Sequence, residues 1–129
     1  METFVPVIDN LIANISPPKY KNINLILDGG AFNGSYHHGV LMYHIQLEKK
    51  NYIKINNISG ASVGSLIGFL YIIDSIDLGF DGFNIMRETF KDTCTFYKAE
   101  QWLNELFANL PPDTYKLCNN RLYITYVRL

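Results

Sequence analysis

A serine flanked by glycines is the feature of this sequence most able to do chemistry. The run Gly60-Ala61-Ser62-Val63-Gly64 follows a short β-like segment, residues 55–59, and leads into an apolar helical segment, residues 65–73. A tight strand-to-helix turn of this kind presents a serine hydroxyl as a nucleophile, and glycines beside it allow neighbouring backbone to approach closely. The helix that follows directs free N–H groups and its positive dipole end at the serine. The spacing predicts a nucleophile at Ser62 in an elbow formed by Gly60 and Gly64.

A second glycine cluster lies upstream, at the end of another β-rich segment. The run Asp28-Gly29-Gly30-Ala31-Phe32-Asn33-Gly34 leads into a helical pattern. A phosphate-binding P-loop would need a lysine where Ser35 stands, and a dinucleotide-binding loop would need a glycine where Ala31 stands. An oxyanion-hole loop, in which consecutive small residues present N–H groups to a reacting carbonyl oxygen, explains why both motifs occur in one chain. We expect Gly29, Gly30 and Ala31 to form that hole.

Together the two motifs resemble the patatin-like phospholipase family. In that family an Asp-Gly-Gly-Gly-x-Arg-Gly loop precedes a Gly-x-Ser-x-Gly elbow. The matching positions are Asp28, Gly29, Gly30 and Gly34 in the loop and Gly60, Ser62 and Gly64 in the elbow. Two positions depart from the pattern. Ala31 replaces the third glycine and restricts the backbone to negative φ, and Asn33 stands in place of a cationic residue.

The resemblance implies a function. It predicts a lipid acyl hydrolase of the phospholipase A type, in which Ser62 attacks a fatty acyl ester and the loop amides hold the oxyanion. The substrate would be a lipid or phospholipid, and the enzyme would need no metal or organic cofactor. In this family an aspartate from a later Asp-Gly-Gly or Asp-Gly-Ala turn is the general base, so no histidine is required.

The general base is not found in this sequence. All three histidines, His37, His38 and His44, precede Ser62, which argues against the Ser, Asp, His order of α/β-hydrolases. The only Asp-Gly pair after the serine, Asp81-Gly82, comes too early, about 20 residues beyond it. We therefore expect a truncated or fragmentary copy with little activity alone. The alternatives are a catalytically inactive patatin-like remnant or lipid-binding module, and a nucleotide-binding protein.

Composition limits the class of protein and its partners. The chain has 129 residues, 48% of them hydrophobic, which suits one folded domain. A net charge of −1 argues against a nucleic-acid partner. Cys94 and Cys118 have no metal-binding spacing and are expected to be reduced thiols, and His37 and His38 are expected at the surface without a metal.

Without a signal peptide or membrane-spanning segment, we expect a cytoplasmic protein that contacts membrane surfaces transiently. The sequence suggests no partner protein.

The order of predicted elements defines the fold class. Residues 1–21 form an N-terminal arm, and residues 22–129 form a patatin-like α/β domain truncated at its C-terminus. The predicted strands are residues 23–28, 55–59 and 121–127; the predicted helices are 35–50, 63–74, 84–91 and 98–110, with a loop at 77–82. In the first of these helices Tyr36, Val40, Tyr43 and Leu47 define the expected buried face. This βαβ order predicts a three-layer αβα fold with a short parallel sheet, helices on both faces and Ser62 at its carboxyl edge.

An apolar stripe on the last predicted helix has two interpretations. Its members are Ala99, Trp102, Leu103, Leu106, Phe107 and Leu110. Such a stripe could contact a membrane, but Glu100 and Glu105 leave it without the basic face of a membrane-binding helix. We therefore expect ordinary core packing for this stripe.

Overall fold

The computed structural model describes residues 5–19 and 21–126. Its helices are α1 (Val5–Ala13), α2 (Gly34–Lys49), α3 (Val63–Ile72), α4 (Ile76–Thr93), α5 (Tyr97–Ala108) and α6 (Thr114–Cys118). Its strands are β1 (Asn22–Leu27), β2 (Lys54–Ala61) and β3 (Leu122–Thr125), and a 3₁₀ turn spans Ala31–Asn33. Residues 1–4 and 20 of the predicted arm and residues 127–129 at the end of the chain lie outside the described residues.

The three strands form one parallel sheet in the order β1-β2-β3. Leu27 at the end of β1 lies opposite Gly60 of β2, and Gly60 lies opposite Ile124 of β3. The carboxyl ends of the strands therefore meet at one edge. The residues that follow β1 and β2 are the glycine loop and the serine elbow, so the sheet alone brings both motifs to this edge.

Helix α3 packs on one face of the sheet and forms the centre of the core. Ile67 and Leu70 of α3 have no exposed surface, and Ile58 of β2 is 1% exposed. Gly68 allows the close approach, because a Cβ there would lie 2.7 Å from Cγ2 of Ile58. On the other face Ile26 is 86% exposed. The α/β class, the parallel sheet and a partial αβα arrangement are confirmed.

The predicted loop at residues 77–82 is wrong, because these residues belong to α4. Its glycines allow close helix packing rather than a turn. A Cβ on Gly79 would lie 3.2 Å from side-chain atoms of Ile67 and Leu70, and a Cβ on Gly82 would lie 2.7 Å from the ring of Trp102. The second half of this helix, at residues 84–91, agrees with the prediction.

Three further details differ from the expectation. Helix α1 begins at Val5, and its Ile12 is 1% exposed in the core. The buried face of α2 is shifted: Leu47 is buried as expected, but Tyr36 is 72% exposed. Helix α6 was not predicted; it follows two prolines, and the Thr114 hydroxyl donates a hydrogen bond to the Pro111 carbonyl at 2.7 Å.

Candidate active site

Ser62 occupies a strained turn between β2 and α3. Its backbone has φ 51° and ψ −124°, a region that residues with a Cβ seldom adopt. A conformation of this kind costs about 1–3 kcal/mol and persists only where the surrounding structure imposes it. The Ser62 residue is exposed, and its hydroxyl makes no hydrogen bond with the described residues. A turn that strains the backbone while freeing the hydroxyl has the local geometry of a nucleophile elbow.

The two elbow glycines are required by close backbone contacts. A Cβ on Gly60 would lie 2.5 Å from the amide nitrogen of Ser65. A Cβ on Gly64 would lie 2.5 Å from the carbonyl oxygens of both Leu27 and Asp28. Because these neighbours are backbone atoms, they cannot rotate away as a side chain can. Gly64 therefore holds the start of α3 against the end of β1, where the glycine loop begins.

The glycine loop is shaped by one left-handed residue and one side-chain hydrogen bond. Gly30 has φ 102°, which favours glycine. Asn33 Nδ2 donates to the Gly29 carbonyl at 3.0 Å, and the Asn33 amide donates to the Gly30 carbonyl at 2.8 Å. Ala31 is not among the residues with positive φ, so alanine fits the third position without backbone strain. Asn33 thus stabilises the loop conformation by hydrogen bonds, at the position where the family pattern has a cation.

The loop and the elbow lie side by side. A Cβ placed on Gly29 would be 3.5 Å from the Cβ of Ser62 and 3.6 Å from the Ala61 carbonyl oxygen. Among the described residues, the amides of Gly29, Gly30 and Ala31 donate no hydrogen bond. Unpartnered amides beside an exposed serine are the donors that an oxyanion hole needs.

A buried histidine, His37, contacts Asp28 at the start of the glycine loop, and the sequence did not predict this contact. His37 Nε2 lies 2.7 Å from Oδ1 of Asp28 and 3.2 Å from the Asp28 carbonyl oxygen. Since both neighbours are acceptors, Nε2 carries a proton and donates to Asp28. The expected surface position of His37 and His38 is wrong, because they are 7% and 5% exposed. The nine-residue separation gave no sequence signal, since the contact depends on how the loop folds back onto α2.

His38 faces a different part of the molecule. Burial lowers the pKa of its imidazole, although Asp77 opposes the shift, and Nδ1 has no hydrogen-bond partner within the described part of the chain. Its ring lines a second cavity of about 730 Å³ among α1, α2 and α4, which also includes Asp81. Asp81, the aspartate of the Asp-Gly pair, therefore borders the cavity that does not contain Ser62.

Ser62 and Ala31 both line an apolar cavity of about 830 Å³. Its other walls come from α3, α4, α5, α6 and β3. The stripe expected to pack in the core contributes Ala99, Trp102, Leu103, Phe107 and Leu110 to these walls. Trp102 and Leu106 also pack partly against the core, whereas Phe107 is 53% exposed. The stripe therefore serves both as partial core packing and as one wall of the cavity beside Ser62.

Within residues 5–19 and 21–126, no group of three histidine, cysteine, aspartate or glutamate side chains is placed to hold a metal ion. No helix in the same residues combines the length and apolarity needed to cross a bilayer.

The sheet, the strained serine turn and the adjoining glycine loop define an α/β protein whose two glycine motifs meet at the carboxyl edge of a parallel sheet. The family model of the patatin-like phospholipases matches residues 25–123. This range covers most of the chain, including both glycine motifs, and the protein belongs to the patatin-like phospholipase family. Searches of curated proteins and of solved structures returned no significant match. Family membership supports a lipid hydrolase and a lipid substrate at a general level.

Proposed function

We propose that the protein is a serine-dependent acyl hydrolase of the phospholipase A type, with Ser62 as its nucleophile. The observation that carries the proposal is the position of Ser62: exposed on a strained turn, beside Gly29, and lining an apolar cavity of about 830 Å³. An oxyanion site next to a hydroxyl, opening on an apolar chamber, suits an ester with a long hydrocarbon chain.

In the proposed reaction the Ser62 oxygen attacks the ester carbonyl carbon, and the C=O π bond becomes an oxyanion. The amides of Gly29, Gly30 and Ala31 donate to that oxyanion, and the positive end of α3 adds to the stabilisation. The carbonyl re-forms as the bond to the alcohol breaks, and the alcohol leaves with a proton. Water then cleaves the acyl-serine ester, releasing a fatty acid and restoring the hydroxyl.

The proton acceptor is not assigned to any described residue. No carboxylate or imidazole within residues 5–19 and 21–126 hydrogen-bonds to the Ser62 hydroxyl. A serine that loses its base in the known triads retains about 10³–10⁴-fold catalysis from the oxyanion hole and binding.

The absence of a metal or organic cofactor and the cytoplasmic location with transient membrane contact remain predictions. Unchanged hydrolysis in the presence of EDTA would support the prediction that no metal is required.

Fatty acid release from phosphatidylcholine in mixed micelles tests the proposal. Ser62→Ala is expected to reduce fatty acid release to the rate measured without protein. Ser65→Ala is the matched control, because Ser65 is buried in α3, which begins just after Ser62, and its hydroxyl has no hydrogen-bond partner among the described residues. Hydrolysis by Ser62→Ala equal to that of the wild type would refute the assignment of the nucleophile.

A non-catalytic lipid-binding protein is the second candidate. Two observations favour it: the Ser62 hydroxyl has no basic partner among the described residues, and Asn33 replaces the family's cation. In that case the wild type and Ser62→Ala would bind a fluorescent fatty acid with equal affinity, and neither would release fatty acid from phospholipid.

A further inference from the structure

We propose that an exposed aromatic patch beside the glycine loop docks the protein on a zwitterionic lipid surface. The patch consists of Phe32, Phe90 and Phe96. This inference rests on the proposed function, since it explains how a lipid reaches Ser62, but lipid binding can be measured without hydrolysis.

Three separate segments bring these rings together. Phe32 lies in the 3₁₀ turn, Phe90 lies near the end of α4, and Phe96 lies just before α5. The ring centroids of Phe90 and Phe96 are 5.0 Å apart, and Phe32 lies 5.4 Å from Phe90 and 5.9 Å from Phe96. Although they pack on each other, the residues remain 51%, 36% and 39% exposed in chain order. A contiguous exposed cluster of phenylalanines on a folded domain indicates an interaction surface.

The patch adjoins the proposed site. Phe32 directly follows Ala31, and Ala31 lines the same cavity as Ser62. Phe32 itself lines the second cavity, so the patch lies next to the glycine loop and not within the walls of the Ser62 cavity. Docking through these rings would therefore hold the glycine loop close to the lipid. Phenylalanine is one of the apolar residues that interfacial proteins insert at the boundary between lipid headgroups and acyl chains.

The surrounding charges favour a lipid surface without net charge. Residues 87–100 contain three basic and three acidic side chains: Arg87, Lys91, Lys98, Glu88, Asp92 and Glu100. Arg87 and Lys91 both pair with Glu88. Because the charges of this segment balance, it carries no basic excess of the kind that attracts anionic lipids.

A second copy of the chain is a poorer occupant. At the exposed fractions given above, three phenylalanines offer about 200–300 Å² of apolar surface. A stable protein interface buries about 800 Å² on each partner. Insertion of rings into a lipid surface needs only the rings themselves, so the area of the patch fits a membrane better than a dimer.

Flotation with phosphatidylcholine vesicles tests the proposal. The variant is Phe90→Ala/Phe96→Ala, which leaves Phe32 and the glycine loop unchanged. Each ring removed is expected to lower the partition coefficient by about tenfold, from the apolar area that it would transfer into lipid. Tyr123→Ala is the matched control, an aromatic residue that is 52% exposed on β3 and makes no ring contact with the patch. Its binding should equal that of the wild type.

Two further measurements keep the test decisive. Phe90→Leu/Phe96→Leu keeps most of the apolar area and should retain most of the binding; a loss as large as that of the alanine variant would overturn the proposal. Adding phosphatidylglycerol to the vesicles should change binding little, and binding only to anionic vesicles would also overturn it. Equal binding of the alanine variant and the wild type, or a dimer that the alanine variant abolishes, would do the same.

The outcome is separable from that of the proposed function. Ser62→Ala should bind vesicles as well as the wild type does. If no variant hydrolyses phospholipid but binding still depends on Phe90 and Phe96, the docking proposal stands and the hydrolase proposal falls. If the wild type hydrolyses phospholipid and the alanine variant binds and hydrolyses equally well, only the docking proposal falls.

Discussion

Gly64→Ala tests whether the position of Ser62 depends on close contact between α3 and β1. The added Cβ would lie 2.5 Å from two carbonyl oxygens, those of Leu27 and Asp28, whereas real Cβ contacts stay beyond 3.0 Å. Strand and helix must therefore separate by at least about half an ångström, and an overpacked contact of this kind costs about 1–3 kcal/mol. The shift falls between the elbow and the glycine loop, so esterase activity should also drop by about tenfold.

Urea unfolding, followed by the fluorescence of the single tryptophan, Trp102, measures the free energy of unfolding. Gly39→Ala is the matched control, because Gly39 is an exposed residue within α2 and its Cβ would meet no atom of residues 5–19 and 21–126 within 4 Å. That variant should gain about 0.5–1 kcal/mol, since alanine loses less backbone entropy in a helix. Gly64→Ala with wild-type stability and wild-type esterase activity would refute the reasoning.

Three further predictions concern the loop, the buried imidazole and the cavity. Gly30→Ala forces a side chain to φ 102°, at a cost of about 1–2 kcal/mol, and should lower ester hydrolysis; unchanged rates would contradict the role of the loop. The pKa of His38 is lowered by burial, so the unfolded chain takes up a proton that the folded chain resists. The free energy of unfolding should therefore fall as pH drops below about 6.5, and this slope should flatten in His38→Leu. Leu103→Trp narrows the cavity beside Ser62 and should shift kcat/KM towards shorter acyl esters across a chain-length series.

The central part of the fold was predictable because its signals are local. Each glycine motif follows a β-rich run and precedes a helical run, and parallel strands place such junctions at the same edge of a sheet. The adjacency of Gly29 and Ser62 follows from that rule. The near-uniform apolarity of α3 is likewise typical of a helix buried on most sides, and its residues Ile67 and Leu70 are fully buried.

The errors arise where tertiary contacts decide the structure. Gly79 and Gly82 resemble turn residues in the sequence, but they allow α4 to approach α3 and Trp102 closely. His37 resembles a surface residue, because nothing local shows that the loop returns to place Asp28 against its ring. The hydrogen bond from Asn33 to Gly29 was also not predicted. Comparison with the family pattern shows only that a cation is absent at this position, and not that asparagine can donate a hydrogen bond there.

Covalent labelling with a fluorophosphonate, read by intact mass and peptide mapping, tests the central claim most directly, because it reports the reactivity of the serine without requiring turnover. Our account predicts a single adduct in the wild type, located at Ser62 and retained in Ser65→Ala. Ser62→Ala should carry none. An adduct on another residue, or equal labelling of Ser62→Ala and the wild type, would contradict it.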